Sequence, residues 1–146
     1  MTQAVSISRE AAISIVINGV LSLAFFLGVF GTQPRLLRWA APDNLALDFV
    51  PQSIAVALMS ALVPALIARR KLSYPPILRG VLIRAGLFAL AGSALGGLLA
   101  FSIESVGFPP IAWAAALMIK IAYGGALGAL VASLALRRLL SSARPV

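Results

Sequence analysis

Four long apolar runs, separated by short polar or proline-rich breaks, set the pattern of this chain. They fall at about residues 11–31, 50–68, 82–103 and 111–136. Wound as α-helices at about 1.5 Å per residue, each is long enough to cross roughly 30 Å of hydrocarbon. The pattern predicts an all-α integral membrane protein with four transmembrane helices, forming a single domain over residues 1–146. The run from Ile111 to Leu136 organises the rest, because it carries Lys120 and the Gly124-Gly125 and Gly128 cluster. The first run, Ala11 to Gly31, is longer than the 7–15-residue apolar core of a signal peptide. No small-residue cleavage site follows it, so it is expected to be retained.

The breaks have distinct characters. Residues 32–48 contain Pro34, Pro42 and both aspartates, and are expected to form an outer loop. Within it, Arg35 to Trp39 reads as a short interfacial helix with Trp39 at headgroup level. Residues 69–81 are basic, opening with Arg69-Arg70-Lys71. Pro51 fits the first turn of the second helix, where its missing N–H has no partner to lose. Pro64 lies deeper and is expected to bend that helix.

Composition agrees with lipid as the solvent. The chain is 61% hydrophobic and 11% charged, against about 25% charged in soluble domains. The net charge of +8 comes from Lys and Arg placed at segment ends, which act as topology anchors. Without a basic domain or interleaved aromatic residues, that charge does not point to nucleic acid. Positive residues mark the N-terminal lead, the 69–84 region and the C-terminal tail, whereas the other two loops carry no net positive charge. The expected arrangement is a multi-pass protein of the cell's inner (plasma) membrane with both termini cytoplasmic.

An internal repeat is a further expectation. Phe49, Pro51, Ala55, Ala57, Leu58 and Met59 recur 59 residues later as Phe108, Pro110, Ala114, Ala116, Leu117 and Met118. The two halves read as tandem helix-hairpin units, each entering its second helix through Phe-x-Pro, with a pseudo-axis along the membrane normal. Similar small-residue helices also arise by chance. In this register Lys120 aligns with Ala61.

Few residues can carry chemistry. The chain has no Cys and no His, which removes disulfides, thiol catalysis, His-ligated zinc or haem, and a Ser-His-Asp relay. It also lacks a convergent pair of carboxylates, so an enzyme is not expected, and no cofactor is implied. Lys120 is the main candidate. Ten residues past Pro110, it falls near the bilayer middle, where a lysine costs about 2.5–3.5 kcal/mol and must face protein or water. Tyr123 follows on the same face. A polar ridge of Ser14, Asn18 and Ser22 at four-residue spacing offers helix–helix hydrogen bonding or a solvated pathway. Glu104 closes the third run and is a candidate polar contact, either meeting a snorkelling Lys120 or standing as a solvated helix end. In an accessory subunit, an acid partner for Lys120 is expected from another subunit. Gly92xxxGly96 and Gly124xxxGly128 give flat faces for close helix packing, while Trp39 and Trp113 read as interfacial anchors.

Two functions follow. One is a transport-like role for a small solute or ion, as a homo-oligomer, suggested by the repeat and Lys120. The other is a structural, accessory or assembly subunit of a larger membrane complex. A transporter should gather Ser14, Asn18 and Lys120 around one water-accessible cavity, whereas an accessory protein can hold them apart.

Overall fold

A computed structural model describes residues 6–142, so Arg144 lies outside the described residues. Among the described residues the structure is all-helical apart from two short strands. Helix α1 spans Ile7–Phe30, α2 spans Phe49–Lys71, α3 spans Leu78–Val106 and α4 spans Trp113–Ser142. All four are long and apolar enough to cross a membrane. Their ends follow local chemistry. Ser6 caps α1, its hydroxyl accepting the Arg9 N–H, and Glu10 sits in the first turn, where negative charge suits the positive end of the helix. Arg69, Arg70 and Lys71 occupy the last turn of α2, where positive charge suits its negative end. Gly107, at φ 71° and ψ 47°, stops α3 in the left-handed conformation and donates its N–H to Ile103, a stop that glycine makes without steric cost. The helices run beyond the apolar runs at several ends, because Arg79, Arg137 and Arg138 are helical residues rather than loop residues.

The helices do not pack in chain order. α1 lies along α4, α3 lies along α2, and α2 and α4 meet in the centre, while α1 barely touches α2 and α3 barely touches α4. Three apolar clusters hold this arrangement. Phe26, Phe30, Leu37, Leu45 and Ala116 close one end. Val56, Ala57, Ala61, Ala85, Leu127, Val131 and Ala135 fill the middle. Ala65, Ala68, Val81, Leu136 and Leu139 fill the other end. The many alanines let helix backbones approach closely, as small residues do. The last cluster lies where α1 and α3 begin and α2 and α4 end, among most of the basic residues, and is called the basic end below. The opposite, capped end is covered by residues 31–48 and 107–112.

That cap differs from the expected interfacial helix. Leu36–Leu37 form strand β1, paired antiparallel with strand β2, Ile111–Ala112. Leu37, Leu45 and Ala46 are buried beneath it, so the segment turns its apolar side inward as a lid. Asp43 fixes it, accepting from Arg35 Nη1 at 2.7 Å and from the Arg38 N–H at 2.9 Å. The Trp39 indole donates to the Pro109 carbonyl at 3.1 Å and the Trp113 indole to the Gly31 carbonyl at 2.9 Å. Both tryptophans therefore tie the lid to the helix ends. The 59-residue register also differs from the strands. Phe49 and Pro51 lie within α2, after β1, whereas Phe108 and Pro110 precede β2 and lie outside α4.

Candidate functional site

The polar residues of the spans collect on the faces that α1, α2 and α4 turn toward one another. Lys120 is 2% exposed. Its Nζ lies 2.8 Å from Asp48 Oδ2 and 4.0 Å from the centre of the Phe49 ring. The charge thus has an ion pair and an aromatic face, the two partners that make a buried ammonium tolerable. The contact is an ion pair without hydrogen-bond alignment, since neither atom meets hydrogen-bond geometry with any described group. Asp48 sits at the N-cap of α2 yet makes no side-chain cap bond, because its carboxylate is turned onto Lys120. Tyr123 completes the cluster. Its ring meets Phe49 edge-on at 4.9 Å, and its hydroxyl bonds Ser53 Oγ. Ser53 gives its single proton to the Phe49 carbonyl at 2.6 Å, so Tyr123 is the donor to Ser53.

Three expectations are corrected here. The acid that pairs with Lys120 is Asp48 of the same chain, so no other subunit is needed to supply it. Lys120 lies seven residues into α4, about 10 Å from its start, rather than ten. Pro110 does not begin the helix, because β2 lies between them. Glu104 is exposed in the last turns of α3 and has no part in the cluster. Lys120 is on α4, which packs on α2 and hardly on α3, so the acid heading α2 reaches it and the acid ending α3 does not.

Ser14, Asn18 and Ser22 are all buried and form one ridge between α1 and its neighbours. Asn18 Nδ2 shares its two hydrogens among the Ser14 carbonyl at 2.8 Å, Ser14 Oγ at 3.0 Å and Ser60 Oγ at 2.9 Å. One turn further on, Gln52 Nε2 donates to Ser22 Oγ at 3.0 Å and to the Lys120 carbonyl at 2.9 Å. Carbonyls only accept, so these contacts fix which end of each amide is nitrogen. The amide oxygens Asn18 Oδ1 and Gln52 Oε1 are buried without a hydrogen-bond partner among the described residues. The glycines lie at the same contacts. A Cβ on Gly128 would stand 2.4 Å from Asn18 Nδ2, and one on Gly124 would stand 1.9 Å from Ser22 Oγ. On α3, a Cβ on Gly92 or Gly96 would run into the Ser53 or Phe49 carbonyl of α2, at 2.7 and 2.6 Å.

The sequence alone does not single out Asp48, Gln52, Ser53 or Ser60 as site residues. Ser53 and Ser60 lie seven residues apart on α2 with Gln52 beside them. This second helical ridge was a readable counterpart to the ridge on α1.

The ridge and Lys120 do not share a cavity. A cleft between α1 and α2 holds one space of about 80 Å³ reached by Ser14, Asn18 and Ser60, and another of about 160 Å³ reached by Ser22 and Gln52. Leu21 and Met59 border both spaces, and Lys120 borders neither. Among the described residues no group of three His, Cys, Asp or Glu could hold a metal ion. The arrangement can neutralise a buried charge and cross-link helices. Comparison with known proteins finds no matching family model, no matching curated protein and no matching solved structure.

Proposed function

We propose that this chain is a non-enzymatic, multi-pass protein of the cell's inner membrane that serves as a structural or accessory subunit of a larger membrane complex. The observation carrying this reading is that Lys120 is neutralised inside the chain by Asp48, beside Phe49, and lines neither space of the α1–α2 cleft. An ionisable residue within a span ordinarily marks a path for ions or protons. Here it has the surroundings of a structural clamp between α4 and the head of α2. The ridge hydroxyls and amides similarly join α1 to α2 and α2 to α4. Large apolar side chains such as Val16 and Val20 on α1, and Leu90, Leu98 and Phe101 on α3, remain outward. In a bilayer these flanks meet lipid or neighbouring subunits. The excess of Lys and Arg at the basic end supports a cytoplasmic location for both termini.

A second reading, a transport-like homo-oligomer, has its own support. α1 lies on α4 as α3 lies on α2, and β1 pairs antiparallel with β2. A two-fold axis running between α2 and α4 would generate such an exchange between hairpins, as in transporters built from repeats. The α1–α2 cleft would be its first candidate path.

Native mass spectrometry after gentle extraction from the protein's own membranes separates the two. A stoichiometric complex with larger, unrelated subunits is the expected result. A clean homodimer or higher homo-oligomer would overturn the accessory reading and favour transport.

A further inference from the structure

On the side of the bundle opposite the α1–α2 cleft, α3 and α4 leave a second groove that opens at the basic end. We infer that this groove binds an anionic phospholipid, with its phosphate held by Arg84 and Arg138 and one acyl chain lying on Leu87, Phe88 and Ala91. The inference rests on the membrane reading above, but not on the choice between an accessory subunit and a transporter.

Arg84 is the seventh residue of α3, about 9 Å from the start of the helix. It is half-buried, and its head group is held rather than free. Its Nη1 donates to the Arg138 carbonyl at 3.3 Å and to Ser142 Oγ at 2.9 Å. The contact with the last turns of α4 places positive charge at the negative end of that helix. It leaves the other guanidinium nitrogens without an acceptor among the described residues, and a guanidinium fork can bond phosphate in bidentate fashion. Arg138 supplies a second guanidinium on the facing helix.

No described carboxylate answers these two charges. Asp43 pairs with Arg35 and Asp48 with Lys120, Glu104 is at the capped end, and Glu10 is on α1, which does not touch α3. The groove holds a cavity of about 170 Å³ lined by Arg84, Leu87, Phe88, Ala91 and Arg138. That space is comparable to an engineered cavity of about 150 Å³ that accepts benzene. It therefore suits a slender chain and excludes a helix of about 10 Å diameter. The apolar wall would contribute nothing to a free phosphate ion. Cations at the bilayer surface with an apolar wall running inward match the two chemistries of one lipid molecule, and basic pockets between membrane helices take such head groups.

The test is lipid titration of the purified, detergent-solubilised full chain, read by native mass spectrometry. Phosphatidylglycerol and phosphatidylcholine are the probes, with soluble glycerol 3-phosphate as competitor. Arg84→Gln and Arg138→Gln should each weaken phosphatidylglycerol binding by about tenfold, the worth of a charged hydrogen bond. Phosphatidylcholine, whose phosphate charge is offset by its choline, should bind more weakly and lose less with either change. Arg137→Gln removes the same charge from a neighbouring exposed position that does not line the groove, and should change little. An equal loss with Arg137→Gln would overturn the site in favour of diffuse charge attraction. Equal binding of the two lipids, which share a phosphate and differ in net charge, would overturn the preference for an anionic lipid, and full displacement by glycerol 3-phosphate would overturn the role of the chain. Should Arg84→Gln not fold, Arg138→Gln still decides, because that side chain is exposed and makes no hydrogen bond among the described residues.

Discussion

At Asn18 a single buried amide is bonded through its nitrogen to Ser14 and Ser60, while its oxygen has no partner. Replacing it with an apolar side chain of similar shape removes that orphaned acceptor along with the bonds, and the Ser60 hydroxyl keeps a partner in Ser14 Oγ, so no buried group is newly stranded. Asn18→Leu should therefore change unfolding stability in detergent by less than about 1 kcal/mol. Asn18→Asp has the same shape but buries a charge with no cation beside it, and should cost about 3 kcal/mol at neutral pH. A thermal melt of each variant checks both expectations. Asp43 lies in the cap, outside the spans. The Arg38 N–H, followed by the Arg35 guanidinium, holds its pKa below the ordinary 3.8. A lowered carboxyl pKa adds stability at higher pH that is lost as pH falls through the folded-state value. The Arg38 amide resonance should thus stay constant across the neutral range and move only below pH 3.8; a midpoint above that value would contradict the contact. In the sequence, Asp43 and Arg35 were legible only as loop charges that cancel. Their pairing depends on a turn of the lid that no periodicity reports.

Among the elements, α3 offers the sharpest internal comparison, because adjacent glycines face opposite ways. A Cβ at Gly96 would lie 2.6 Å from the Phe49 carbonyl and 2.8 Å from Val50 Cα, both backbone atoms of α2 that cannot swing aside. Gly97 has open space around it. Gly96→Ala should cost about 2 kcal/mol or more through overpacking. Gly97→Ala should be neutral or stabilising by up to about 1 kcal/mol, since alanine favours the helix. Equal effects in a thermal melt would contradict the close approach of α3 to α2. Helix existence was legible from the apolar runs alone, and Gly107 and Ser6 mark ends that sequence chemistry can find. The strands were not legible. Leu36-Leu37 and Ile111-Ala112 are two-residue pairs, too short to show alternation, and their pairing joins segments 75 residues apart.

For the whole molecule, four spans and the sorting of charge to segment ends could be read in advance, because both are written in one dimension. The packing order could not. Spans rich in Ala, Leu and Gly carry little information about which face meets which neighbour. The expectation of hairpin partners α1 with α2 and α3 with α4 gave way to α1 on α4 and α3 on α2. That exchange decided the candidate site, since it brings Asp48 and Gln52 of α2 against Lys120 and leaves Glu104 outside.

The most direct measurement is a double-mutant cycle on this pair, read as unfolding free energy in detergent for Lys120→Met, Asp48→Asn and the two combined. Each single change strands a buried partner and should cost about 3 kcal/mol. The double variant removes both, so it should be more stable than either single variant and keep the protein's native assembly. Losses that simply add, or a double variant no better than its parents, would contradict a Lys120 whose charge is answered within its own chain.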